Sequence, residues 1–199
     1  MSCRRGVLLL VAVVVVAMLP PAGAARAQAG AAPPAVEPAS PVYPYRPRTL
    51  IEIQVGRDFA NKSAAGLDAG DGLLVSAVGS LTPLWIGNTV GLGFGVSFGW
   101  KYSSAFSRTP VSAFGHAVLQ LRERWFSLLR AGPLKLVSTQ GVDVGSHWGA
   151  FVDWGVCRWF DHQFGLALLV HYTHLTLTYQ DADVDATSFG PAIAIFFGD

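Results

Sequence analysis

His171-Tyr172-Thr173-His174 holds the residues in this chain best suited to proton-transfer chemistry. An imidazole and a hydroxyl two residues apart share one face of an extended strand, so a base and a nucleophile can be brought together there. A second constellation, Asp181-x-Asp183-x-Asp185, places three carboxylates in a short stretch that could offer oxygen ligands to a hard cation. It lacks the glycine and distal glutamate of an EF-hand. The plain reading is a solvated loop, the sharper one Mg²⁺ or Ca²⁺ bridging to lipid phosphates. Cys157 has no His or Cys at metal-ligand spacing and reads as inert. Gly91-x-Gly93-x-Gly95 is followed by no helix and is not a nucleotide loop. No cofactor and no metal is expected.

Strands must position these residues. In Val90 to Tyr102, Val90, Leu92, Phe94, Val96, Phe98, Trp100 and Tyr102 occupy one parity; Gly91, Gly93, Gly95, Ser97, Gly99 and Lys101 occupy the other. One face is therefore wholly large and apolar and the other nearly bare. A glycine face serves water poorly but suits a crowded barrel interior, so the apolar face is assigned to lipid. Similar segments fall at 49–60, 73–84, 111–124, 126–138, 146–158, 164–179 and 187–197. Gly132-Pro133 predicts a bulge or break in the fifth, and a parity change near His174 predicts a bulge in the seventh.

Eight segments in about 150 residues match the smallest membrane barrels. Composition agrees: 51% of the 199 residues are hydrophobic and 14% charged, with a mean hydropathy of +0.40. Yet beyond the amino terminus no apolar run nears the ~20 residues of a membrane helix. Only helices and closed barrels satisfy their backbone in lipid. The fold class expected is all-β, an eight-stranded antiparallel up-and-down transmembrane β-barrel over residues 49–199.

Residues 1–27 have the three parts of an export signal: Arg4 and Arg5, the apolar Val7 to Leu19, and small residues around Ala25-Arg26-Ala27. Residues 28–48 hold six of the twelve prolines and read as an extended, unpacked periplasmic tether. Removing the signal takes three of 14 basic residues and leaves 11 against 13 acidic, a net of −2. No nucleic-acid surface is implied. With Cys3 gone, Cys157 is the one cysteine and no internal disulfide can form.

With the amino terminus in the periplasm, the outer loops are expected at 61–72, 101–110, 139–145 and 180–187. Trp85, Trp125 and Trp159 then fall at the three periplasmic turns, and Phe59, Trp100, Tyr102, Trp148 and Tyr179 near the outer ends. Together they form two interfacial belts. Arg57 lies on the lipid-facing parity just below the outer rim, where reaching a lipid phosphate and plain snorkelling to the interface are equally adequate readings. The interior parity collects Glu52, Gln54, Asp58, Lys101, His116, Gln120, Arg122, Asp153 and His171. Eight strands leave room only for side chains, so these should pair into a packed polar plug.

The last segment alternates Phe189, Pro191, Ile193, Ile195 and Phe197 with Gly190, Ala192, Ala194 and Phe196. It resembles the carboxy-terminal assembly signal of bacterial outer-membrane proteins, although Gly198-Asp199 follow the phenylalanine. From signal to final strand the chain resembles the small bacterial outer-membrane β-barrel proteins as a class. That resemblance implies the outer membrane as location, and its lipids, lipopolysaccharide and the barrel assembly machinery as partners of a monomer. The His171 stretch loosely resembles the histidine–x–serine arrangement of the outer-membrane lipid A deacylases. It would make His171 the base, Thr173 a substitute for the serine nucleophile, and Asp153 the orienting acid.

The leading expectation is a non-enzymatic barrel with a structural, adhesive or loop-mediated role. One rival is a lipid-modifying enzyme centred on His171. Another is an exported soluble lipocalin-like barrel, which requires Phe94, Val96 and Phe98 inside.

Overall fold

Eight strands follow one another around a closed antiparallel barrel: β1 (Thr49–Ala60), β2 (Gly72–Ile86), β3 (Val90–Ser103), β4 (Ser107–Arg122), β5 (Trp125–Gln140), β6 (Trp148–Trp159), β7 (Phe164–Tyr179) and β8 (Ala182–Gly198). The computed structural model describes residues 46–60, 71–103, 107–140, 147–161, 163–179 and 182–198. The expected signal and residues 28–45 of the tether lie outside these. Each strand pairs with its chain neighbours, and β8 closes on β1 from Leu50↔Gly198 to Ala60↔Ser188.

Short connections (87–89, 123–124 and 160–163) lie at the end carrying Thr49 and Gly198, here called the turn end. At the opposite loop end, only 104–106 and 180–181 separate β3 from β4 and β7 from β8. Two of the expected outer loops are thus largely strand. Asp183 and Asp185 read as loop, but on β8 they bond across the ladder to β7: Thr176 Oγ1 donates to Asp185 Oδ1 at 3.0 Å and Thr178 Oγ1 to Asp183 Oδ1 at 2.9 Å.

Facing follows the alternation. Phe94, Val96 and Phe98 are 58%, 62% and 59% exposed, which excludes the lipocalin-like arrangement. The glycines of β3 look inward, where neighbouring side chains leave no room for more. A Cβ on Gly93 would lie 2.0 Å from the Leu81 carbonyl oxygen and 2.6 Å from the His116 ring.

Neither predicted irregularity takes the expected form. β5 runs unbroken through Gly132-Pro133: its ladder to β6 is continuous, and only its ladder to β4 skips between Ser112↔Leu134 and Gly115↔Ala131. A proline removes one N–H, and therefore bonds on one side only. Pro191 has the same effect on β8, whose ladder to β1 skips between Gly56↔Ala192 and Phe59↔Phe189. In β7 the register is constant against both neighbours, with no bulge at His174. Polarity inverts there instead. His174, Thr176 and Thr178 point outward and Leu175 and Leu177 inward, as suits a hairpin that has left lipid for water. Actual register shifts fall at Thr82-Pro83, Leu121 and Val137.

The lumen is layered. At the turn end Leu50, Phe126, Leu169 and Phe196 form an apolar plug that includes Trp159, only 2% exposed and edge-on to Phe196 at 4.4 Å. Trp85 packs against the same plug. Two of the three tryptophans expected in the belt are therefore internal. Trp125 remains outside, and Phe160, Phe164 and Phe197 continue the belt with ring centroids 5.6 and 5.8 Å apart. Pro47, expected in an unpacked tether, is buried beside Leu50 and Phe126. Towards the loop end a second apolar cluster includes Phe114, Leu134, Phe151 and Leu177. The outer belt has Phe59, Trp100, Tyr102 and Trp148 exposed as expected; the side chain of Tyr179 lies outside the described residues.

Candidate functional site

Between these layers lies a buried ionic network centred on Arg130 of β5. Its Nε donates to Asp153 Oδ2 at 2.6 Å, one terminal nitrogen to Glu52 Oε2 at 2.9 Å and the other to Gln54 Oε1 at 2.7 Å. Asp153 lies beside Arg130 as its register partner on β6, while Glu52 and Gln54 reach it across the lumen from β1. The second Asp153 oxygen bonds His171 Nδ1, and the His171 ring stacks on Phe151 at 6.2 Å. A planar guanidinium with five donors suits two carboxylates and an amide simultaneously. Buried charges of this kind persist only when paired in this way.

A second cluster lies towards the loop end. Lys101 of β3 forms an ion pair with Asp58 of β1, and its Nζ donates to Ser188 Oγ at 2.9 Å. Ser188 in turn donates to Asp58 Oδ2 at 3.2 Å and shares a 2.6 Å hydrogen bond with Thr173 Oγ1. The small cavity between the two clusters has room for a few waters. Gln54 Nε2, which has no hydrogen-bond partner among the described residues, borders it.

The structure brings His171 and Asp153 together, as the deacylase-like reading needs, but engages Thr173 elsewhere. Its hydroxyl belongs to the Lys101–Asp58–Ser188 cluster. All three candidates are inside the barrel, with Asp153, His171 and Thr173 at 2%, 8% and 6% exposure. An acyl chain in the bilayer would meet the opposite face of these strands. What the arrangement does chemically is cross-brace the wall.

Of the acidic triplet, Asp181 lies outside the described residues. Asp183 and Asp185 are on β8 with their carboxylates engaged by threonines. Among the described residues no three His, Cys, Asp or Glu side chains converge on a metal position. Arg57 is on the outer face as expected, 3.3 Å from Asp71 and over the Phe59 ring at 5.6 Å.

Seven of the nine expected interior polar residues are buried: Glu52, Gln54, Asp58, Lys101, His116, Asp153 and His171. Gln120 is half-buried at the turn end and Arg122 is exposed. The extra residue Leu121 turns Arg122 to the face of its register partner, Trp125. Sequence reasoning missed Arg130, Arg108 and Ser188. Arg130 could have been found by asking what neutralises the inward acids Glu52 and Asp153. Of the two inward cations expected, Lys101 lies near the far end of its strand and Arg122 faces outward.

No family model and no curated protein sequence matches the chain. Among solved structures the barrel is similar to Neisserial surface protein A (NspA), with 13% identity and a TM-score of 0.56 over 74% of this chain and 96% of that one. It also matches Ail, the attachment invasion locus protein of Yersinia pestis, at 12% identity and TM-score 0.40 over 76% and 99% of the two chains. A de novo designed transmembrane β-barrel matches at 14% identity and TM-score 0.38 over 75% and 97%. The likeness to NspA is one of fold: this chain is built as a small eight-stranded antiparallel β-barrel of the transmembrane kind.

Proposed function

We propose that this protein is a non-enzymatic outer-membrane barrel that acts through its surface, presenting the β7–β8 hairpin to the exterior. One observation carries the reading: the polarity inversion beyond Thr173. The last described pair of β7 with β6 is Gly149↔Leu175 and of β8 with β1 is Ala60↔Ser188, whereas β7 and β8 pair with each other on to Tyr179↔Ala182. Along this extension the outward residues are Thr176, Thr178, Asp183 and Asp185, a face made for water and for polar partners. The packed lumen speaks against a pore, since apolar layers lie on either side of the ionic centre. The longest connections, 61–71 and 141–147, lie at the hairpin's end, and longer loops are extracellular in such barrels, which supports an exterior position for the hairpin. An adhesive or contact role also fits the name of NspA as a surface protein.

The native Cys157 is buried, so a single introduced cysteine reports its own exposure. On intact cells a membrane-impermeant maleimide should label Asp183→Cys, and should label Gln163→Cys only after the envelope is opened. The reverse pattern would invert the orientation and remove the hairpin from the surface. His171→Ala should leave lipid A acylation unchanged on overexpression; an altered pattern would establish the enzymatic rival.

A further inference from the structure

The bulge at Leu121 arranges charge on the lipid-facing side of the turn end. Register partners share a face of the sheet, and Trp125 is the partner of both Arg122 on β4 and Arg158 on β6. Two arginines therefore flank one tryptophan across three adjacent strands. The Arg158 guanidinium lies 5.3 Å from the Trp125 ring centroid and 5.4 Å from that of Phe160, so it is held between two aromatic rings. Arg124, in the turn between β4 and β5, donates to the Phe160 carbonyl oxygen at 3.0 Å, and Trp159 N donates to the Arg124 carbonyl at 2.9 Å. These bonds tie the two turns together and bring a third guanidinium to the same place.

Among the described residues of these strand ends and turns, three arginines stand beside two acids, Glu123 and Asp161. Asp161 is spent on its own turn, where its Oδ1 accepts from the Gln163 and Phe164 amides. Glu123 sits in the β4–β5 turn itself, and among the described residues no carboxylate lies within ion-pair distance of Arg122 or Arg124. A tryptophan at headgroup depth with planar guanidinium groups on either side fits one kind of ligand: an oxyanion whose apolar tails run up the barrel wall. We infer that the Arg122–Trp125–Arg158 row is a binding site for the phosphate of an anionic phospholipid in the periplasmic leaflet. The inference rests on the membrane reading above, and the test separates the two.

The full-length protein is reconstituted into phosphatidylethanolamine vesicles containing a minority of phosphatidylglycerol. Insertion is checked by flotation and by a heat-dependent gel shift, and retained lipids are counted by native mass spectrometry after mild extraction. Wild type should retain phosphatidylglycerol in excess of its share. Arg122→Gln/Arg158→Gln should insert and shift normally but lose that enrichment by about thirtyfold, the scale expected for two basic side chains at an anionic surface. Lys135→Gln, beside Trp148 at the other rim, should keep it. An inserted wild type without enrichment overturns the site, as does a double variant that retains it or a Lys135 variant that loses it equally. A wild type that does not float overturns the membrane reading itself.

Discussion

β3 and β5 flank β4 in the same barrel and fill the lumen by opposite means. β3 turns Gly91, Gly93, Gly95 and Gly99 inward; β5 turns in Phe126, Leu128, Arg130, Leu134 and Leu136. The space left by β3 is occupied from its sides: His116 and Phe114 of β4 reach over Gly93 and Gly95, and Ser80 of β2 approaches Gly95 from the other. Lumen volume is thus shared among strands, and the size of an inward residue makes sense only beside its neighbours. A bare strand and a crowded one are two halves of one packing solution.

Arg130→Leu tests the crowded strand most severely. It leaves Glu52 and Asp153 buried without their cation and should cost about 3–5 kcal/mol. The expected result is loss of the heat-shifted folded band and a collapsed urea midpoint in micelles. Adding Glu52→Gln and Asp153→Asn should restore much of the loss; no restoration would mean that Arg130 acts by shape and not by charge. Next in size is Gly93→Val on the bare strand, where the new side chain meets the Leu81 carbonyl and the His116 ring. Overpacking of this kind should lower stability by about 1–3 kcal/mol, read as a lower urea midpoint with the folded band retained. The smallest effect belongs to Gly79→Ala in β2. A Cβ there meets nothing within 4 Å, so the midpoint should move by no more than about 0.5 kcal/mol. Equal losses at Gly79 and Gly93 would show that the glycines serve backbone freedom and not space.

The same contrast explains what could be read from the sequence. β3 was legible because its two faces differ in every position, and most of the other strands could be placed from weaker alternation of the same kind. β5 is apolar on both faces, so Arg130 carried no visible parity, and the one residue that organises the ionic centre was the least conspicuous. Misplaced irregularities have a common cause. Beyond Thr173 the outside becomes water, so polarity exchanges faces while the strand keeps its register; the sequence shows only the exchange. Conversely, a true bulge at Leu121 left no mark in the pattern, and Arg122 was assigned to the wrong face. Trp159 was misassigned for a related reason. An aromatic residue at a strand end can join the belt or cork the barrel, and spacing along one strand does not distinguish them.

The grip of Arg130 on Glu52 concerns how the barrel stays shut. β1 and β8 meet at the seam where first and last strands join, and their ladder is interrupted beside Pro191. A wall closed only by its edges would part most easily there. Arg130, however, is already held by Asp153 on the adjoining β6, and from that anchorage it reaches across to seize β1 from within. For the seam to gape, β1 must surrender a buried ion pair as well as its edge bonds. The ionic centre therefore acts as a spoke, loading the seam onto the opposite side of the rim.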